Sequence, residues 1–278
     1  MKPTRMGLAS IAPAAIYVAV LLVVPFCFLV WLSLTDGSLN GEPGLYLGNY
    51  ARILTQPIYL DGLLGTVKMG VVVTLITLII GYPVAYFIAQ SGSRFAVLAM
   101  LVVILPLFVS VVVRSFGWMV LFGRRGTINQ ILLSIGITEE PIQFLYTTGA
   151  VMVGLVHILS PLMILPIASV LRGIDPASKE AARSLGASAL RTFWTVTFPL
   201  SLPGVIAGCI LVFAHVIAAF VLPALIGSDR VRLMATMIFQ QVMVANNVPM
   251  GAALAVVLVV MTFILLGIAQ FFLRKRYV

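Results

Sequence analysis

Six long apolar runs, set apart by short polar stretches, dominate this chain: about residues 11–33, 66–89, 95–113, 146–170, 204–226 and 251–273. A bilayer's hydrocarbon is about 30 Å thick, and at 1.5 Å rise per residue a helix crosses it with roughly 20 apolar residues. The pattern therefore predicts an all-α integral membrane protein with six transmembrane helices. The first run follows Lys2 and Arg5. It is longer than the core of a signal peptide and no small-residue cleavage pattern closes it, so it reads as a retained helix. Pro25, Pro83, Pro106, Pro161, Pro166 and Pro223 lie in or near these runs. Each removes a backbone donor and kinks a helix, which neighbouring helices in a bundle can accommodate. Ser91-Gly92-Ser93-Arg94 reads as a tight turn between the second and third spans. The loops at about 34–65, 114–145 and 227–250 share the opposite side. The first of these holds Asp36, Glu42 and Asp61. In the third, Leu233 to Val244 reads as a short helix lying on the membrane surface.

Composition agrees with a lipid environment. Charged residues make up 9 % of the chain and hydrophobic ones 62 %, against about 25 % charged in a soluble domain. A chain so poor in charge has too few polar groups to cover a globular surface, and no long polar segment is left for a separate soluble domain. The net charge of +9 sits in short loops beside the spans, so membrane topology and anionic lipid explain it better than nucleic acid does. With a cytoplasmic N-terminus, Lys2, Arg5, Arg94, Arg172, Lys179, Arg183, Arg191, Arg274, Lys275 and Arg276 lie inside. Arg52, Arg114, Arg124, Arg125, Arg230 and Arg232 lie outside. That bias places both termini in the cytoplasm. Cys27 and Cys209 both fall within apolar runs, and no Cys/His spacing matches a metal site.

One inside loop, at about 171–203, looks built to meet a partner. It reads Leu171-Arg172-Gly173-Ile174-Asp175-Pro176-Ala177-Ser178-Lys179-Glu180-Ala181-Ala182-Arg183-Ser184-Leu185-Gly186, and continues through Trp194 to Phe198-Pro199-Leu200. Asp175 suits a helix N-cap and Pro176 the first helical position. Gly186 fits a C-terminal stop. Ser188 starts a second short helix that Pro199 is expected to end. Ala181, Ala182 and Gly186 permit a close backbone approach, and Glu180 offers an acceptor at the edge of that surface. On local physics alone, a docking element and a plain amphipathic linker are equally served.

Glu180-Ala181-Ala182, Gly186 and Val196-x-Phe198-Pro199 together resemble the EAA loop of ABC importer permeases, with the spacing intact. Val196 and Phe198 stand where that pattern has Ile and Leu. Further stretches resemble the spermidine/putrescine-type branch: Asn49-Tyr50, Gly81-Tyr82-Pro83-Val84-Ala85-Tyr86, Val113-Arg114-Ser115-Phe116-Gly117-Trp118, Gly126-Thr127-Ile128-Asn129 and Pro249-Met250-Gly251-Ala252-Ala253. The likeness covers nearly the whole chain. It implies a type I importer permease fold with a cytoplasmic coupling helix in a bacterial inner membrane. Residues 1–61 would form the first transmembrane helix and external loop, 62–273 a five-helix permease core with the EAA loop at 171–203, and 274–278 a basic cytoplasmic tail. The implied partners are a second permease in a heterodimer, a cytoplasmic ATPase dimer and a periplasmic substrate-binding protein. Asp175, Glu180, Ala181, Ala182, Gly186 and Pro199 would couple the chain to the ATPase.

The chain has no G-x-x-x-x-G-K-S/T phosphate loop. It is expected to bind no cofactor, with ATP and magnesium held by the partner ATPase. No nucleophile, base and metal set converges by spacing, so a membrane enzyme is disfavoured. Ionisable residues within spans are functional candidates, and these are Lys68, His157 and His215. Lys68, near an outer end, can snorkel to water. His215 with Phe220, in the middle of the fifth span, and His157 beside Ser160-Pro161 are candidates for lining a path for a small amine or amino-acid-like solute. The spans hold no Asp or Glu to receive a polyamine, so recognition would rest on aromatics or on the partner permease. A secondary transporter driven by an ion gradient is the alternative. It would place ion-coordinating groups near the midplane and would leave the EAA loop unexplained.

Overall fold

The computed structural model describes residues 5–36 and 45–274, with backbone alone at 5–12, 229 and 269–274. Lys2, Glu42 and the tail beyond Arg274 lie outside the described residues. Among the described residues the regular elements are all helical. They are α1 (Arg5–Ser33), α2 (Gly48–Thr55), α3 (Pro57–Gln90), α4 (Arg94–Ile104), α5 (Val111–Phe122) and α6 (Thr127–Ser134). There follow α7 (Thr148–Arg172), α8 (Pro176–Ser184), α9 (Ala189–Thr192), α10 (Phe198–Ile217), α11 (Met234–Phe239) and α12 (Val248–Arg274). Among the described residues five stretches are long and apolar enough to cross a bilayer, and a bent pair makes a sixth when it is counted as one span.

That bent pair corrects the expected third span. The run expected as a single span over 95–113 breaks after a 3₁₀ turn, Leu105–Phe108, that contains Pro106. Val109 is extended, and the Ser110 hydroxyl caps α5 by accepting from the Val112 N–H at 3.3 Å. The two arms meet at 104°. The region expected as an external loop, 114–145, is thus largely α5 and α6. Proline weakens the ladder at this point, and the Ser110 cap starts a new helix at once. Pro83, Pro161, Pro166 and Pro203, by contrast, lie inside continuous helices.

The fifth span is also displaced. Pro199 does not end a short helix. α9, a π-helical turn at Phe193–Thr197 and α10 form one continuous stretch from Ala189 to Ile217. The Phe198 N–H bonds to the Phe193 carbonyl five residues back. This wider turn removes the crowding that a proline ring causes against the carbonyl four residues earlier. The expected span 204–226 therefore stops at Ile217, and a second π turn, Pro223–Gly227, follows the break. The stretch 233–244 does form a helix, α11 with a terminal π turn. Its first part is buried in protein at Leu233, Met234 and Met237, while Phe239, Met243 and Val244 are exposed.

The chain divides into two compact units. The first joins residues up to Asp61 with Met237–Met261. Here Asn49 closes the end of α1, its side-chain amide donating to the carbonyls of Ser33 at 3.1 Å and Thr35 at 2.9 Å. The hydroxyl of Ser33 donates to the Val30 carbonyl, so Tyr50 donates its phenol proton to Ser33 at 2.6 Å. These bonds satisfy carbonyls that a helix end leaves free.

The second unit holds Gly62–Thr236 and the stretch from Thr262 onward. Its centre is the packing of α7 on α10. Met163, Ile167 and Leu171 of α7 are buried, as are Val205 and Val212 of α10. Gly204 and Gly208, one turn apart, set the approach. A methyl at Gly204 would stand 2.8 Å from the Pro166 oxygen, and one at Gly208 2.7 Å from the Met163 sulfur. In lipid, where burial between helices has no hydrophobic drive, such small-residue contacts supply the packing. The buried Asn129 staples the α5–α6 region by donating to the Gly123 and Ile142 carbonyls and accepting from the Ile142 N–H.

Candidate functional site

The loop between α7 and α10 is built by its caps. The Asp175 carboxylate accepts from the Ala177 N–H at 2.9 Å, and Pro176 occupies the first turn of α8. At the other end the Gly186 N–H bonds to the Arg183 carbonyl and the Ala187 N–H to that of Ala182. This is the paired closure of a Schellman motif. It requires a left-handed residue, and Gly186 has φ +82°. Ser188 then caps α9 by accepting from the Arg191 N–H at 3.3 Å. The caps at 175, 186 and 188 agree with the sequence reading.

No residue of α8 is buried. Glu180 and Ala181 are exposed and Ala182 is half-buried. Leu185 is 89 % exposed, Leu190 70 % and Trp194 58 %. Glu180 makes no ion pair among the described residues. The turn thus displays three large apolar side chains beside a free carboxylate, in a loop whose backbone is fixed at both ends.

The loop is tied back to the end of α3. Lys179 donates to the Gln90 side-chain oxygen at 2.7 Å, and Arg172 reaches the Ile88 carbonyl at 3.5 Å. Burial and the neighbouring Arg183 guanidinium hold the Lys179 ammonium below the ordinary lysine range. Higher on α3, Tyr82 and Tyr86 meet Phe193 edge to face at centroid separations of 5.9 and 5.6 Å, and Tyr82 packs on Phe198 at 5.7 Å. Ser201 gives its proton to the Phe198 carbonyl, so Tyr82 donates to Ser201 at 2.8 Å.

The proposed path residues fall in different settings. His157 is exposed near the middle of α7, and Nδ1 accepts from the Trp118 indole N–H at 3.3 Å. Trp118 in turn stacks on Phe122 at 4.9 Å. His215 lies in the last turn of α10, not in mid-span, and bonds to the Leu211 carbonyl of its own helix at 2.8 Å. Phe220 sits half-buried in the break that follows α10. Arg114, expected in an outer loop, lies on α5 and donates to the Ile158 carbonyl at 3.5 Å, while its Nε is buried without a partner. Arg114 and Trp118, one turn apart, flank the same stretch of α7, so Arg114 joins His157 as a candidate. The sequence signal was available: both lie in the Val113–Trp118 stretch.

A cleft of about 310 Å³ lies between α3, α10 and the last part of α12, with Val71, Thr74, Cys209, Phe213 and Leu265 on its walls. It is almost wholly apolar and contains none of these candidates. Among the described residues no group of three His, Cys, Asp or Glu side chains is placed to hold a metal.

Apolar spans joined by a capped, exposed helix–turn–helix define a polytopic membrane protein. The chain belongs to the family of binding-protein-dependent transport system inner membrane components, which it matches over residues 79–277. It is 35 % identical over 220 residues to the spermidine/putrescine transport system permease protein PotB of Escherichia coli strain K12, covering 79 % of this chain and 80 % of that protein. To PotB of Haemophilus influenzae it is 34 % identical over 246 residues, covering 88 % and 84 %. Its fold is similar to that of a chain in a crystallised bacterial ABC transporter for the import of the acidic polysaccharide alginate. The TM-score is 0.81, with 16 % identity and coverage of 96 % of this chain and 94 % of that one. The protein is therefore a multi-pass inner-membrane permease subunit of an ABC importer, with the type I fold, and does not itself hydrolyse ATP.

Proposed function

We propose that this chain pairs with a second, different permease to import a small organic amine, polyamine or amino-acid-like solute delivered by a periplasmic binding protein. The PotB likeness supports that substrate class. A cytoplasmic ATPase dimer carries ATP and magnesium, and this chain binds no cofactor. Asp175, Glu180, Ala181, Ala182, Gly186 and Pro199 belong to the element that docks on the ATPase. The observation that carries this reading is the exposure of Leu185, Leu190 and Trp194 on a turn capped at both ends. Such a surface is unsatisfied in water and suits a protein groove. The bias of Lys and Arg supports both termini in the cytoplasm. His157, His215 and Phe220 border the path, where closure of the ATPase dimer switches access from one side to the other as a rigid-body change.

The test is co-purification and uptake. The complete transporter should import solute with ATP and hold its ATPase through purification. Glu180→Arg should lose both. Uptake that survives removal of the ATPase and collapses with an ionophore would instead establish a secondary transporter.

A further inference from the structure

The loop that meets the ATPase leads directly into α10, so α10 is the obvious receiver of its movement. The contacts lead elsewhere. Three separate links join α3, over 80 residues earlier in sequence, to α8 and to the two helix ends that flank the loop: Arg172 ends α7 and Ser201 lies in the first turn of α10. Lys179 on α8 holds Gln90, Arg172 holds the Ile88 carbonyl, and Tyr82 holds Ser201. The first two engage the last turn of α3, where free carbonyls and the negative end of the helix dipole favour cations. The third lies two turns deeper, inside an aromatic cluster of Tyr82, Tyr86, Phe193 and Phe198.

Between the loop and α10 stands the π turn at Phe193–Thr197. A π turn departs from the regular ladder and is a common place for a helix to bend. Phe193, its first residue, touches both tyrosines of α3. The junction that could absorb a push along α10 is therefore braced sideways against α3.

We propose that α3 receives the movement of the docking loop, with Tyr82 and the Lys179–Gln90 pair as positioning residues that hold loop and α3 together as one body. This rests on the docking role of the loop. Tyr82 acts through Ser201 and the π turn.

The experiment uses the complete transporter in proteoliposomes and reads ATP hydrolysed per solute imported. Tyr82→Phe keeps the ring and removes the phenol; Lys179→Met keeps the chain and removes the charge. The double variant should hydrolyse about tenfold more ATP per solute, with ATPase co-purification unchanged. Lys179→Arg and Ser201→Thr, which keep the donor and the hydroxyl, should stay near the wild-type ratio. An unchanged ratio in the double variant overturns the proposal while leaving docking intact. As a second measurement, Gln90→Cys with Lys179→Cys joined by a short bifunctional thiol reagent should still import, because the two positions move together. Loss of import on cross-linking overturns the proposal. Failure of the wild-type chain to retain its ATPase would overturn the docking reading, and this one with it.

Discussion

Trp118 donates its indole N–H to Nδ1 of His157 at 3.3 Å, which leaves the neutral imidazole's proton on Nε2. The pair is partly exposed near the middle of α7, a helix otherwise largely buried. Polar groups at that depth face protein or water, since hydrocarbon offers them nothing. Trp118→Phe keeps the ring and frees Nδ1. One neutral hydrogen bond is worth about 1 kcal/mol, roughly a fivefold change. If the pair borders the path, apparent solute affinity should shift by about that much with ATPase stimulation unaltered. Unchanged transport in both Trp118→Phe and His157→Leu would leave the pair a packing contact.

Gly186 separates conformational from steric demands. A Cβ there would meet nothing within 4 Å inside the chain, yet φ is +82°. A non-glycine residue in that region costs about 1–2 kcal/mol, less for asparagine. Uptake should fall in the order Gly, Asn, Ala, Trp, at equal membrane abundance. If the turn docks on the ATPase as proposed, tryptophan should add a clash there. Normal uptake in Gly186→Trp would exclude the turn from the docking surface.

Asp175→Ala should weaken the start of α8 by about 1 kcal/mol, while Asp175→Asn retains an acceptor for the Ala177 N–H. Stimulation of the ATPase by the assembled permease should drop in the first and hold in the second. Equal loss in both would point to the charge of Asp175 and away from its capping bond.

The two glycines of α10 should differ. At Gly204 an added methyl meets backbone, the Pro166 oxygen and the Ile167 Cα; at Gly208 its nearest neighbour is the flexible Met163 thioether. Overpacking costs about 1–3 kcal/mol. Gly204→Ala should therefore lower the thermal midpoint in detergent more than Gly208→Ala. The reverse order would show that the α7 backbone yields more readily than Met163 does.

The runs of apolar residues were enough to read the helical membrane class, because spanning length follows from bilayer thickness. The caps at Asp175, Gly186 and Ser188 were legible for a similar reason: each serves a local backbone need. What escaped were events set by tertiary context. Pro106 lies at a 104° break, whereas Pro83, Pro161 and Pro166 sit in unbroken helices, and nothing local tells them apart. Arg114 was assigned to water by its charge, but the bend carries it against the α7 backbone. The bonds from Tyr82 to Ser201 and from Lys179 to Gln90 span 119 and 89 residues, beyond any periodicity.

The π turn at Phe193–Thr197 also fixes an angle. Each residue advances an α-helix by about 100°, so the widened turn sets the azimuth of the α8–α9 loop against the faces of α10. Deleting one residue within 193–197 would restore a regular ladder and swing the loop about that axis. A chain shortened there would keep its caps and its spans, and would aim its apolar turn at the wrong quarter of the compass.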